Sequence, residues 1–323
     1  MRFWLCFAVS LLPSLMLLLP YAHYSMDWIN HEWMINYFAE YFRQHLSFPY
    51  SLNTTRIAGL AYPVFYGFLF YPLMGLLSLV VSAAIAIRVC AVALFVFQFR
   101  CIQALFIKIG ASEFESNSIA ALIIWSTYSL TNLYARGAHT EFFATGLLTA
   151  NLYFGFCLFF EKSLPKKKKV AWTFALIFTL AAGIHPISAL YGAVFYTITA
   201  FFLWSYFGSA NLLKTFRSLI LPVLMSLAVL SPWLYAVSKF GHELKVSKGA
   251  VAASTEDYDS PLVRFFPIPI DVRMQGKTLA EVSTPYMDTQ IHLILLIVAI
   301  IGTFYFFKNE SSDRKSMTTL FSA

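Results

Sequence analysis

Apolar residues gather in nine runs, at 3–22, 61–82, 83–108, 117–134, 141–160, 170–184, 187–207, 218–238 and 291–308. Polar stretches separate them at 23–60, 109–116, 135–140, 161–169, 208–217, 239–290 and 309–323. An α-helix needs about 20 apolar residues to cross a bilayer, so the pattern predicts an all-α, polytopic integral membrane protein. No internal repeat marks a duplicated architecture. In the first run Arg2 precedes apolar residues that end at Ala22. Pro20 stands where a signal-peptide cleavage site needs a small residue, so 3–22 reads as an uncleaved first span.

Charge placement decides the number of crossings. If all nine runs cross from an inside N-terminus, Arg100, Lys108, Lys162, Lys166 to Lys169, Lys214 and Arg217 all fall outside. That inverts the rule that basic short loops stay in the cytoplasm. If 61–82 does not cross, those residues move inside and join Arg2. The run itself is unlike a simple span, for Pro63, Gly67 and Pro72 break it and Tyr62, Tyr66 and Tyr71 favour an interface. The reading is therefore eight crossings within a single domain, 1–308. Long outer loops lie at 23–82 and 239–290, the N-terminus is cytoplasmic, and so is the tail 309–323.

Composition sharpens this class. Of 323 residues 59% are hydrophobic and 12% charged, with 33 Phe and 18 Tyr, against roughly 45–50% and 25% in soluble domains. A soluble globular domain, a disordered chain and a nucleic-acid-binding module are excluded. The four cysteines, Cys6, Cys90, Cys101 and Cys157, lie in or beside apolar runs without ligand spacing, and read as core residues. No phosphate-binding loop, nucleophile elbow, zinc-protease or dinucleotide motif occurs.

Candidate chemistry falls on the outer side. Asp27 and His31, four apart, share one face of a helix. Their neighbours Trp33, Ile35, Tyr37, Phe38, Phe42 and Leu46, mixed with Asn36, Glu40, Arg43 and Gln44, predict an amphipathic helix on the membrane surface. Asp27 reads equally well as that helix's N-cap. A tight turn then places Arg136, His139 and Glu141 together. It is either a surface ion pair worth about 0–1 kcal/mol or a guanidinium set for a phosphate. His185, before Pro186, reads as a helix-end residue or a phosphate contact. Arg88, inside a span, either snorkels to the headgroups or meets an anion. In 239–290, Glu256, Asp257 and Asp259 form a solvated cluster or hold a divalent cation. The prolines of that loop suggest a flap over the outer face. Asn53-Thr54-Thr55 is a glycosylation sequon, meaningful only where the host compartment glycosylates.

In order along 1–240, these residues resemble GT-C-fold membrane glycosyltransferases, and among them the bacterial YfhO-like membrane proteins, also catalogued as 6-pyruvoyl-tetrahydropterin synthase-related. The likeness rests on Asp27 and His31, Phe48-Pro49, Gly59-Leu60-Ala61-Tyr62-Pro63-Val64-Phe65-Tyr66-Gly67, Tyr71-Pro72-Leu73, Arg136-Gly137-Ala138 with Glu141, His185-Pro186, and Ser231-Pro232-Trp233. It implies a bacterial inner-membrane enzyme that moves a sugar from a polyprenyl-phosphate-linked donor to a cell-envelope acceptor. It places the catalytic base on Asp27, with Glu32 as fallback and His31 assisting or holding a metal. Arg136, Glu141, His185 and Arg88 would serve the lipid phosphate. Relatives usually continue with further spans, whereas this sequence ends 15 residues after its last apolar run. Two other classes remain open: a transporter or flippase for a lipid-linked glycan, and a non-catalytic assembly subunit.

Overall fold

A computed structural model of the chain describes residues 2–18, 26–52, 66–207 and 209–240. Every regular element among them is helical. In chain order they are α1 (Arg2–Leu11) with a 3₁₀ extension (Leu12–Leu18), α2 (Met26–His45), α3 (Phe70–Leu77), α4 (Ala83–Lys108), α5 (Glu113–Ile124), α6 (Thr127–Leu130), a π-helical turn (Thr131–Ala135), α7 (His139–Phe160), α8 (Leu164–Ile184), α9 (Pro186–Phe207) and α10 (Ser209–Phe240). Helices α4 and α7 pack on each other at the centre. On one side α5 lies against α4, and α1 against both. On the other, α8 lies against α7, with α9 and α10 beyond it. The pair α2–α3 closes the end of the bundle where α4 begins.

Among the described residues three helices are long and apolar enough to cross a bilayer: α4, α7 and the Leu213–Lys239 part of α10. Phe3–Leu18 and Pro186–Phe201 are shorter apolar helices. On α9 and α10, Leu190, Phe195, Ile198, Phe216, Ile220 and Leu224 are all at least half exposed. Apolar side chains presented outward along whole helices are unfavourable in water and suit a lipid surround.

Local chemistry sets the helix limits. Ser82 caps α4 by accepting from the Ile85 amide at 3.4 Å. Ser112 and Glu115 form a reciprocal capping box at α5. Between α4 and α5 the amide of Gln103 donates to Asn117 Oδ1 at 2.6 Å, both side chains buried. At the other side Lys167, buried on α8, donates to Thr215 of α10 at 3.3 Å. All four cysteines carry free thiols.

Four apolar runs take a form other than a plain span. In 61–82 the described part is a turn followed by the eight residues of α3. At 1.5 Å per residue that covers about 12 Å, less than half of a hydrocarbon layer. Run 117–134 is broken, because Ser126 accepts from the Ser129 amide at 3.3 Å and starts a new helix, α6. Run 3–22 passes from α1 into 3₁₀ geometry at Leu12, beside Pro13. Run 170–184 extends back to Leu164, with Pro165 in the first turn, where its missing N–H costs nothing. Helix α2 is two-faced: Trp28, His31, Ile35, Phe38 and Ala39 are buried against the protein, while Trp33 on the helix and Leu46 just after it are exposed. Run 291–308, the acidic cluster near 256 and the sequon at 53 lie outside the described residues, as does 239–290 beyond Phe240.

Candidate functional site

One cavity of about 640 Å³ sits where the α2–α3 pair meets the starts of α7 and α9. Asp27, His31, Arg136, Glu141 and His185 all line it. Glu32 and Arg88 do not; both are half-buried elsewhere, on α2 and α4.

The first side of the site comes from α2. Asp27 is exposed within the first turn, one residue inside the described start of the helix, so it is not its N-cap. Among the described residues, it accepts a side-chain hydrogen bond from the Asn30 amide at 3.5 Å. His31, one turn on, is buried, and its Nδ1 lies 2.9 Å from the Tyr71 hydroxyl of α3. Burial pushes its pKa down to about 4, only partly opposed by the Asp27 carboxylate. At neutral pH it is an uncharged imidazole. Behind it His139 is fully buried, its ring centre 5.0 Å from that of His31 and 4.2 Å from that of Trp28. Neither ring nitrogen of His139 has a hydrogen-bond partner among the described residues.

The second side is built by the π-turn and α7. A π-turn closes i to i+5, here with the Arg136 amide donating to the Thr131 carbonyl at 2.8 Å. Asn132 and Arg136, four apart, meet on one face of this turn, and Arg136 Nη1 donates to Asn132 Oδ1 at 2.7 Å and to Glu141 Oε2 at 3.1 Å. The Tyr128 hydroxyl donates to the other carboxylate oxygen of Glu141. Arg136 and Glu141 are only 18% and 17% exposed, so the pair is a fixed, partly desolvated feature rather than a screened surface bridge.

The third side is the α8–α9 junction. Pro186 forces the preceding residue out of helical geometry, and His185 is extended at φ −148°, ψ 94°. Its Nδ1 receives the Ser188 amide at 3.2 Å and faces the Ser188 hydroxyl at 2.7 Å. An amide proton cannot be withdrawn, so Nδ1 is an acceptor and the neutral ring carries its proton on Nε2. Burial lowers the pKa of His185 as well. This group is a neutral hydrogen-bond donor, not a cation. Tyr66 joins the site from the turn before α3. Its hydroxyl accepts from Thr140 Oγ1 at 2.5 Å and its ring meets His185 edge-on at 5.4 Å. Burial pushes its phenol pKa up, so it too is protonated. Gly67 turns this segment at φ +65°, against the Tyr71 ring.

The structure thus adds Tyr66, Tyr71, Asn132, Tyr128 and Ser188 to the groups expected. Of these, Tyr66 and Tyr71 stood in a motif already singled out, but as interface aromatics. Asn132 and Tyr128 lay in a run read as a span, and nothing in their spacing signals the π-turn. Among the described residues no three His, Cys, Asp or Glu side chains come together as a metal site. No protein-family model, curated protein or solved structure matches the chain.

Proposed function

We propose that the chain is a membrane glycosyltransferase that moves a sugar from a polyprenyl-phosphate-linked donor to a cell-envelope acceptor at the face bearing the Asp27 cavity. One observation carries the reading: a solvent-open carboxylate, a braced guanidinium and neutral N–H and O–H donors line one cavity in an otherwise apolar protein. Asp27 takes the proton from the acceptor hydroxyl as that oxygen forms its bond to the anomeric carbon. The bond from that carbon to the phosphate oxygen breaks, and the lipid phosphate leaves with the electron pair. Attack opposite the leaving group inverts the anomeric centre. Arg136, braced by Glu141 and Asn132, and the Nε2–H of His185 stabilise the charge that grows on the departing phosphate. Two carboxylates, Asp27 and Glu141, against the one guanidinium of Arg136 leave the lining at a net charge of about −1. It therefore suits a monophosphate-linked donor better than a diphosphate-linked one, whose ground state carries more negative charge.

The exposed apolar faces of α9 and α10 support a lipid-borne substrate. The wider topology is eight crossings with the N-terminus cytoplasmic, in a bacterial inner membrane. A reporter fused after Lys169 should read inside, and an outside signal overturns that topology. The reaction is tested with the full chain in liposomes containing polyprenyl-phosphate sugars. Asp27→Asn should lower kcat about 10²–10⁴-fold with little change in donor affinity, and full retained activity removes Asp27 as base. Arg136→Gln should lower kcat and kcat/KM together, since its contribution is greatest in the transition state.

A further inference from the structure

Helices α4 and α7 run from the candidate site to the opposite end of the bundle. From Glu141 to Tyr153 is about 18 Å of helix. There a second cavity, about 590 Å³, opens among α1, the last turns of α4, the start of α5 and Tyr153 of α7. Phe3, Ala104 and Ile107 line it together with Arg100, Lys108 and Glu113.

The Arg100 guanidinium is held in place. Its carbon lies 5.4 Å from the centre of the Phe3 ring, and Nη1 donates to Gln103 Oε1 at 3.4 Å. Gln103 is itself buried and locked to Asn117. A charge stacked and tethered in this way is oriented before any ligand arrives. Arg100, Lys108 and Glu113 form no ion pair with any described residue. In a chain only 12% charged, two cations without an ion-pair partner among the described residues, set beside apolar side chains, call for an anion with an apolar body attached.

We propose that this groove binds the phosphodiester headgroup of a membrane lipid, a role separate from the Asp27 cavity. Two cations and one carboxylate leave a net charge of about +1, the complement of one phosphodiester. Arg100 and Lys108 take the phosphate oxygens. Phe3 and Ile107 flank the first carbons of the lipid. Glu113 accepts a hydrogen bond from a headgroup hydroxyl or ammonium, which favours glycerol and ethanolamine headgroups over choline, a group with no such donor.

The test is native mass spectrometry of the full chain in detergent. Phosphatidylglycerol, phosphatidylethanolamine and phosphatidylcholine of matched acyl chains are titrated in, with glycerol phosphate as a headgroup-only competitor. The first two lipids should be retained at least fivefold more tightly than phosphatidylcholine. Arg100→Gln and Lys108→Gln should each erase that preference, while Arg217→Gln, an exposed cation on α10, leaves it intact. Lys108 is exposed, so its variant reports on binding without disturbing the core. Arg100→Lys, which keeps the charge but loses the planar stack, should fall between wild type and Arg100→Gln. Equal retention of the three lipids overturns the proposal, and so does an Arg217→Gln loss matching that of Lys108→Gln. Displacement of the lipid by glycerol phosphate at equal concentration also overturns it, because the site would then serve a soluble phosphate.

Discussion

Stability should fall steeply as pH drops from 6.5 toward 4, and much of that fall should trace to His31. Its pKa is held down to about 4 from an ordinary 6.5 because the ring is buried against Tyr71 and His139. Between those two values the unfolded chain binds a proton that the native chain refuses. The stabilisation is fully present above pH 6.5 and is lost as pH falls through the folded pKa. At about 1.36 kcal/mol per pH unit, the interval corresponds to about 3 kcal/mol. Little solvent screening applies, since the side chain is only 7% exposed. Thermal unfolding of the full chain in detergent, followed by tryptophan fluorescence from pH 4.5 to 7.5, reads this directly. His31→Gln keeps a polar partner for the Tyr71 hydroxyl but cannot titrate. It should cost about 1 kcal/mol at pH 7.5 and flatten the acid limb by about 3 kcal/mol relative to wild type. Parallel pH profiles for wild type and variant would refute the argument.

Other expectations follow from single contacts. Gly183→Ala would set a methyl group 2.3 Å from Leu69 Cγ and Cδ1, at a point where the Leu69 amide donates to the Gly183 carbonyl at 2.8 Å. It should cost about 1–3 kcal/mol in thermal unfolding, most of it recovered in the Gly183→Ala/Leu69→Ala double variant; strictly additive losses would be the contrary result. Gln103→Leu strands the buried Asn117 amide and should cost about 1–3 kcal/mol, whereas replacing both residues by Leu should cost less than the single change. Ser112→Ala removes the capping box of α5 and should cost about 1 kcal/mol, read in the same unfolding assay.

The candidate-site cluster was legible in part because its members are rare. Charged and imidazole groups stand out in so apolar a chain, and Asp27, His31, Arg136, Glu141 and His185 do line one cavity. Glu32 and Arg88 were drawn in by the same reasoning and lie off it. Proximity in sequence, or presence within a span, says nothing about which way a helix is turned. Tyr66, Tyr71 and Tyr128 were passed over because Tyr is common here, so only a contact distinguishes a site tyrosine from an interface one. The break in 117–134 was hidden for a related reason. One serine hydroxyl and a π-turn redirect the backbone, and neither leaves a mark on a hydropathy pattern.

By itself the sequence determined what depends on local composition: helical elements, a lipid-suited surface, short connecting turns and the few residues able to do polar chemistry. Burial of long apolar runs is strongly favourable whatever their neighbours, so that much needs no tertiary information. Only the tertiary structure decided which runs are continuous helices, which face of α2 is inside, and which polar groups are charged. His31 is neutral because Phe70, Tyr71 and His139 bury it. Arg136 is braced because the start of α7 brings Glu141 to it. Protonation and hydrogen-bond geometry depend on atoms up to a hundred residues away in the chain, and the fold alone brings those atoms together.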